Sequence, residues 1–255
     1  MEPLIRALNL PQNQGNPQAI HEIQRQLQCL QRQQSAWQTS LQFLDTDDFL
    51  LQFYGALTLG QKVDADWEKD GVGADREQVS QIVEKLVTVY VRLAQNPQSE
   101  VVITKLSSVL AAVFGKPDTA WAHPIKHVLT CMMSGAYVPQ NQSLNVSAVL
   151  ATNQTVLGTC WNALLRLAAA LQEEVRSSHH GQLGHRYEIQ LGNNVEDVWQ
   201  LIHHTIMFFS DLDQQIDTLG HSQRLQISMN DRLREKVLGE TLQQIPVSES
   251  DVLLS

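Results

Sequence analysis

The chain has 255 residues, of which 43% are hydrophobic and 18% are charged, and its formal net charge is −9. This acidity argues against binding to nucleic-acid phosphates or to an anionic membrane surface, because both need clustered lysine and arginine. Three widely separated cysteines cannot complete a disulfide framework and show no zinc-type spacing, which favours a reducing compartment.

Helical periodicity dominates the first third of the sequence. Asn16 can cap a helix that begins at Pro17 and carries apolar residues at steps of three and four. A short apolar stripe that begins at Trp37 predicts another helix, and the polar run 45–48 ends it. Those polar residues can cap a third helix over about 49–63.

The same pattern continues downstream. Asp75 can cap a helix that Asn96 and the following proline stop, and a further apolar stripe runs up to Gly115. More helices are predicted near 118–136, 146–176, 194–210 and 225–245. No segment alternates as a strand would, and no run of 18 apolar residues predicts a membrane span. The chain is predicted to be all-α.

Helices of roughly 10–20 residues in short-linked pairs predict an α-solenoid, since one pair cannot bury both of its apolar stripes. The pairs fall near 3–33, 36–66, 77–114 and 118–176, a spacing that fits HEAT-type repeats. The helix pattern alone leaves a compact bundle as the alternative.

No motif predicts catalysis. His179, His180 and His185 lack a thiolate or paired carboxylate at ligand spacing, which favours a solvated linker. The adjacent His203 and His204 point about 100° apart on a helix and cannot share one metal. The glycines near 71–75 lack the Gly-Lys-Ser/Thr of a phosphate loop.

Two aromatic segments, 37–45 and 53–67, carry a family resemblance. They resemble the N-terminal domain of the importin-beta (karyopherin-beta) superfamily, and most closely its transportin-SR and importin-thirteen branch. In that family a tryptophan opens the second repeat, and a helix follows with an aromatic-Gly-Ala core, a lysine near its end and a closing tryptophan. The corresponding residues here are Trp37, Phe53, Gly55, Ala56, Lys62 and Trp67.

The resemblance extends along most of the chain. Segments 103–114 with Trp121, 164–175 and 232–238 are similar to later helices of the family, although Gln172 replaces a proline. Gln61 stands where the branch usually has an apolar residue, and Gly60 before it weakens a helix by about 0.5–1 kcal/mol relative to alanine.

The resemblance implies an all-α solenoid of about five HEAT-like antiparallel helix pairs. Residues 1–67 would form repeats 1–2, and residues 68–255 would form repeats 3 to about 5 or 6, with a loop near 177–193. Receptors of this family are several times longer, so the sequence is expected to be an N-terminal fragment or a truncated product. The regions for protein cargo and nucleoporins would then be largely absent.

The resemblance also implies a function. The chain would be part of a nuclear transport receptor that binds GTP-loaded Ran through the concave face of its first repeats. It would shuttle between cytoplasm and nucleus through the nuclear pore. No enzymatic activity, cofactor, metal, nucleic acid or membrane is expected. The residues predicted to contact Ran are Gln24, Gln28, Gln52, Gln61, Lys62 and Lys105, whereas Trp37, Trp67 and Trp121 are assigned to packing.

Two other functions stay open on the sequence. One is a helical-repeat scaffold or adaptor unrelated to nuclear transport. The other is an all-α enzyme that uses the loop histidines as metal ligands.

Overall fold

A computed structural model describes residues 1–72, 75–116, 119, 121–142 and 154–178, together with the five residues Asp197, Trp199, Gln200, His203 and Met207. Within these residues every regular element is a helix, so the predicted all-α class is confirmed. No helix in the described part is both long and apolar enough to cross a bilayer.

Three helices form the N-terminal end: α1 (Glu2–Leu8), α2 (Pro11–Gln14) and α3 (Pro17–Gln31). The Asn16 side chain accepts a hydrogen bond from the backbone N–H of Ala19 at 3.2 Å, which is the cap that the sequence predicts. Helix α1 packs against α3, and their apolar residues share a small cluster with α4 and α5.

Four further helices follow, α4 (Ala36–Asp45), α5 (Phe49–Asp66), α6 (Arg76–Ala94) and α7 (Glu100–Gly115). The carboxylates of Asp48 and Asp75 cap α5 and α6 as predicted, each accepting two backbone N–H groups. After α6, a 3₁₀ turn over Pro97–Ser99 begins at the predicted stop.

Helix α8 (Pro124–Ser134) is shorter than the sequence prediction of 118–136. Residues 121–123 are not helical. The Thr119 hydroxyl bonds carbonyls at the end of α7, and Pro124 suits the first turn of the next helix. After a 3₁₀ turn over Gln140–Gln142 comes α9 (Gln154–Ser178), so residues 177 and 178 of the predicted loop are helical. The rest of that loop, most of the 194–210 helix, the 225–245 helix and the 232–238 motif lie outside the described residues.

The six helices from α4 to α9 stack as two rows. The even row contains α4, α6 and α8, the odd row contains α5, α7 and α9, and each helix packs against its neighbour in the row and its partner in the pair. Helices two repeats apart, such as α5 and α9, make no extensive contact. This nearest-neighbour packing is that of an α-solenoid of HEAT-like repeats and not of a closed bundle.

A glycine permits the close contact inside the α4–α5 pair. A Cβ atom on Gly55 would lie 2.8 Å from the Ser40 carbonyl oxygen and 3.1 Å from the Phe43 Cβ atom. Since real Cβ atoms do not approach a backbone oxygen so closely, the packing of α4 on α5 requires glycine at this position.

One tyrosine joins three helices of neighbouring repeats. The buried Tyr90 hydroxyl of α6 donates to the Ala163 carbonyl of α9 at 2.5 Å and lies 2.8 Å from the Ser107 hydroxyl of α7. Burial raises the pKa of Tyr90, so the phenol is neutral and available as a donor.

Candidate partner-binding surface

A buried charge cluster, which we call the Lys62 cluster, lies where α4 meets the end of α5. It comprises Lys62, Asp66, Asp70 and Trp37. The Lys62 ammonium is 2.8 Å from the Asp66 carboxylate and 2.6 Å from that of Asp70, and the lysine side chain is only 1% exposed. The Trp37 indole N–H donates to the same Asp70 oxygen at 2.9 Å, and the Lys62 Nζ atom lies 5.6 Å from the Trp37 ring centroid.

The electrostatics of this cluster favour the charged forms of its members. Burial by itself would lower the pKa of Lys62, but the hydrogen bonds to Asp66 and Asp70 outweigh it and raise the pKa. The Lys62 hydrogen bond lowers the pKa of both carboxyl groups. The lysine is therefore a cation held between two carboxylates and has no capacity to act as a base near neutral pH.

Tryptophan packing agrees with the sequence prediction. Trp37 and Trp67 are buried and meet edge to face, with ring centroids 6.2 Å apart. Trp121 is likewise buried in the main core. All three tryptophans stabilise helix packing, as predicted.

The six predicted Ran-contact residues divide by burial. Gln52 and Lys62 are buried. The Gln52 amide donates to the Thr46 carbonyl at 2.5 Å and closes the α4–α5 turn. The other four predicted residues, Gln24, Gln28, Gln61 and Lys105, are exposed. The exposed positions are the ones that can touch a partner directly without rearrangement, and two of them, Gln61 and Lys105, lie on neighbouring helices of the odd row.

Sequence reasoning did not single out Arg166, which lies on the odd row. From α9, its guanidinium donates to Asn162 at 3.0 Å, to the Thr104 hydroxyl of α7 at 2.7 Å, and to Glu100 at the start of α7. Arg166 thus links α9 to the start of α7 in the neighbouring repeat. One feature of the sequence could have drawn attention to Arg166: no charged residue lies between it and Lys126.

A second buried polar site, also missed, surrounds His127 on α8. The Trp121 indole N–H donates to His127 Nδ1 at 3.0 Å, so the Nε2 atom must carry the proton that bonds the Val138 carbonyl at 2.7 Å. Burial lowers the pKa of His127. The Nδ1 atom is engaged with Trp121 before α8 and the Nε2 atom with Val138 after it, so the residue has a structural role.

The described residues contain no group of three or more His, Cys, Asp or Glu side chains arranged to hold a metal ion. His203 is exposed on a helix, while His179, His180, His185 and His204 lie outside the described part.

The comparisons with known proteins bear on the first repeats. Residues 23–92 match the family model described as the importin-beta N-terminal domain. No curated protein and no solved structure matches the chain. The matched segment runs from α3 into α6 and includes the whole Lys62 cluster. This match confirms the resemblance of residues 23–92 to the N-terminal region of the importin-beta superfamily.

Proposed function

We propose that this protein is a nuclear transport receptor, or the N-terminal part of one, that binds Ran in its GTP-bound form. The observation that carries the proposal is the importin-beta N-terminal domain at residues 23–92. In this family the first repeats bind Ran, and the GTP-bound state in the nucleus releases import cargo. The chain would act by binding alone and would shuttle between nucleus and cytoplasm. The transportin-SR and importin-thirteen branch remains the branch we favour.

The odd row is the surface that we assign to Ran. Its helices α5, α7 and α9 pack side by side, so their outward residues form one continuous face across three repeats. Gln61 and Lys105 are exposed there, and the Arg166 guanidinium contacts Thr104, the residue before Lys105 in α7. Such a face offers amide, ammonium and guanidinium donors to the acidic and carbonyl groups of a partner.

The six predicted residues then take different parts. Gln61 and Lys105 would contact Ran directly, with Gln24 and Gln28 at the edge formed by α3. Gln52 and Lys62 are buried and would act indirectly, since Gln52 closes the α4–α5 turn and Lys62 holds α4 against the end of α5.

The decisive experiment is a calorimetric titration of the full chain with Ran loaded with a non-hydrolysable GTP analogue, and in parallel with Ran loaded with GDP. The switch loops of a GTPase are ordered by the γ-phosphate, so a receptor that reads them binds the GTP form more tightly. Equal affinity for the two forms would overturn the proposal and favour a helical scaffold unrelated to transport.

Charge reversal tests the assignment of the surface. Lys105→Glu should weaken binding of GTP-loaded Ran about ten-fold, since it replaces an attraction by a repulsion at the interface. The matched control is Arg76→Glu, an exposed reversal at the start of α6 in the even row. A loss of affinity in the control equal to that in Lys105→Glu would contradict the odd-row assignment.

A further inference from the structure

A groove lies between the α3–α4 turn, α4 and the first turns of α6, and two members of the Lys62 cluster, Trp37 and Asp70, line it. We call it the glutamine groove, and its cavity volume is about 430 Å³. That volume is within the range of ligand sites, which is about 300–1,000 Å³. Its polar lining consists of Gln34, Ser35, Gln38, Asp70, Gln78 and Gln81.

The amides of this lining are free to bind. Within the described residues the side chains of Gln34, Gln38 and Gln78 make no hydrogen bond, and Gln81 makes only a 3.4 Å contact to Glu77. Each glutamine offers both a donor and an acceptor. Amides that converge on one groove from two helices and a turn match the alternating N–H and C=O groups of an extended peptide.

The groove also contains an incompletely satisfied carboxylate. The Lys62 and Trp37 bonds both go to the Oδ2 atom of Asp70, and the Oδ1 atom accepts none from the described residues. The Asp70 side chain is 13% exposed, so it is mostly shielded from water on the floor of the groove. One buried cation, Lys62, serves two carboxylates, and Lys69 reaches only Asp66, at 3.3 Å.

These two features select the chemistry of the ligand. A carboxylate oxygen accepts hydrogen bonds and is satisfied best by a cationic donor such as a guanidinium or ammonium. The apolar floor around Trp37, Leu41 and Ile82 can pack along the aliphatic stem of such a side chain.

We infer that the glutamine groove binds an extended peptide segment through an arginine or lysine side chain directed at Asp70, with its main chain held by Gln34, Gln38 and Gln78. Apart from Asp70 and Val72, which follow α5, the lining comes from the α3–α4 turn and the even-row helices α4 and α6, and the inference does not depend on the proposed binding of Ran. The net charge of −9 makes a basic partner the electrostatically favoured one.

The test uses the full chain and a blocked peptide, acetyl-Gly-Ser-Arg-Ser-Gly-amide. The matched ligand carries citrulline in place of arginine, which keeps the shape and removes the charge. Calorimetry should show saturable binding of the arginine peptide and about five-fold or greater weakening with citrulline. Amide NMR spectra should show shifts at the groove glutamines and at the Trp37 indole N–H.

Variants locate the site. The double variant Gln38→Ala/Gln78→Ala should lose about five-fold or more in affinity for the arginine peptide, because two bonds to its main chain are removed. Gln42→Ala, an exposed glutamine of α4 outside the groove, should bind as the wild type does. Thermal melting checks that both variants fold.

Three outcomes would overturn the inference: no saturable binding, equal affinity for the arginine and citrulline peptides, or a folded double variant that binds as the wild type does. No GTPase is present in this experiment, so its failure leaves the proposed binding of Ran standing, and the reverse also holds.

Discussion

At the scale of single residues, the least expected assignment is that of Lys62. The sequence places it among exposed contact residues, yet its ammonium is enclosed between Asp66 and Asp70. These residues are spaced i, i+4 and i+8, so they share one face of a continuous helix and its extension. The spacing alone predicts that the three side chains can pair. That the pair is buried follows from the packing of Trp37 against it, which the spacing does not predict.

Removing this cation should be costly. Lys62→Met removes the buried cation that Asp66 and Asp70 share, and we expect the free energy of unfolding to fall by about 3–5 kcal/mol. Lys69→Met is the matched control, because Lys69 contacts the same Asp66 but is 71% exposed, and it should cost about 0.5 kcal/mol or less. Urea unfolding measures both. If Lys62→Met lost as little stability as Lys69→Met, the Lys62 cluster would contribute little to the stability of the fold.

His127 predicts a dependence of stability on pH. Its folded pKa lies below the unfolded value of about 6.5, so the unfolded chain binds the proton more readily. The stability that His127 contributes is therefore present above about pH 6.5 and is lost as the pH falls from there towards the folded pKa.

The measurement is the free energy of unfolding between pH 8 and pH 5, in the wild type and in His127→Gln. A glutamine can still bond in this position but does not titrate. The wild type should lose more stability than the variant over this interval. Parallel curves for the two proteins would contradict a neutral, buried His127.

At the scale of elements, the two glycines of α5 should respond in opposite directions to the same change. Gly55→Ala introduces a Cβ atom 2.8 Å from the Ser40 carbonyl oxygen, so α4 must move, and we expect a loss of about 1–3 kcal/mol. Gly60→Ala places its Cβ atom 3.5 Å from the Val109 side chain, an ordinary contact. It should stabilise by about 0.5–1 kcal/mol through helix propensity.

Thermal melting of the two variants checks this pair. Each is the control for the other, because both lie on α5 and both add one methyl group. A stabilised Gly55→Ala would show that α4 and α5 are not as close as described.

Helix positions were largely predictable from the sequence, because caps and stripes are local. Asn16, Asp48 and Asp75 cap the helices that they were expected to cap. The start of α8 was not predictable by the same reasoning, since Thr119 ends α7 by turning back onto its carbonyls. Inter-repeat contacts such as Arg166 with Glu100 join residues 66 apart and left no local pattern to read.

At the scale of the whole molecule, the two-row stack raises the question of how far its repeats unfold together. In a repeat array, stability is roughly a sum of repeat terms and nearest-neighbour terms. Tyr90 of α6 contributes to a nearest-neighbour term, because its hydroxyl group contacts Ser107 of α7 and donates a hydrogen bond to Ala163 of α9, in the next repeat. Tyr90→Phe should therefore cost about 1–2 kcal/mol and broaden the urea transition.

The control for this variant is Tyr54→Phe. Tyr54 is half-buried, and within the described residues its hydroxyl has no hydrogen-bond partner, so its removal should change neither the midpoint nor the slope. An unbroadened transition in Tyr90→Phe would show that repeat coupling is carried by apolar packing alone.

The shared tyrosine has a mechanical consequence. A force applied to α7 by anything that grips the odd row must either displace α6 and α9 in concert or rupture a hydrogen bond shielded from water. The middle of this protein should accordingly respond to load as a stiff block. Deformation would then occur mainly at α1–α3, which pack on α4 and α5 through the smaller apolar cluster.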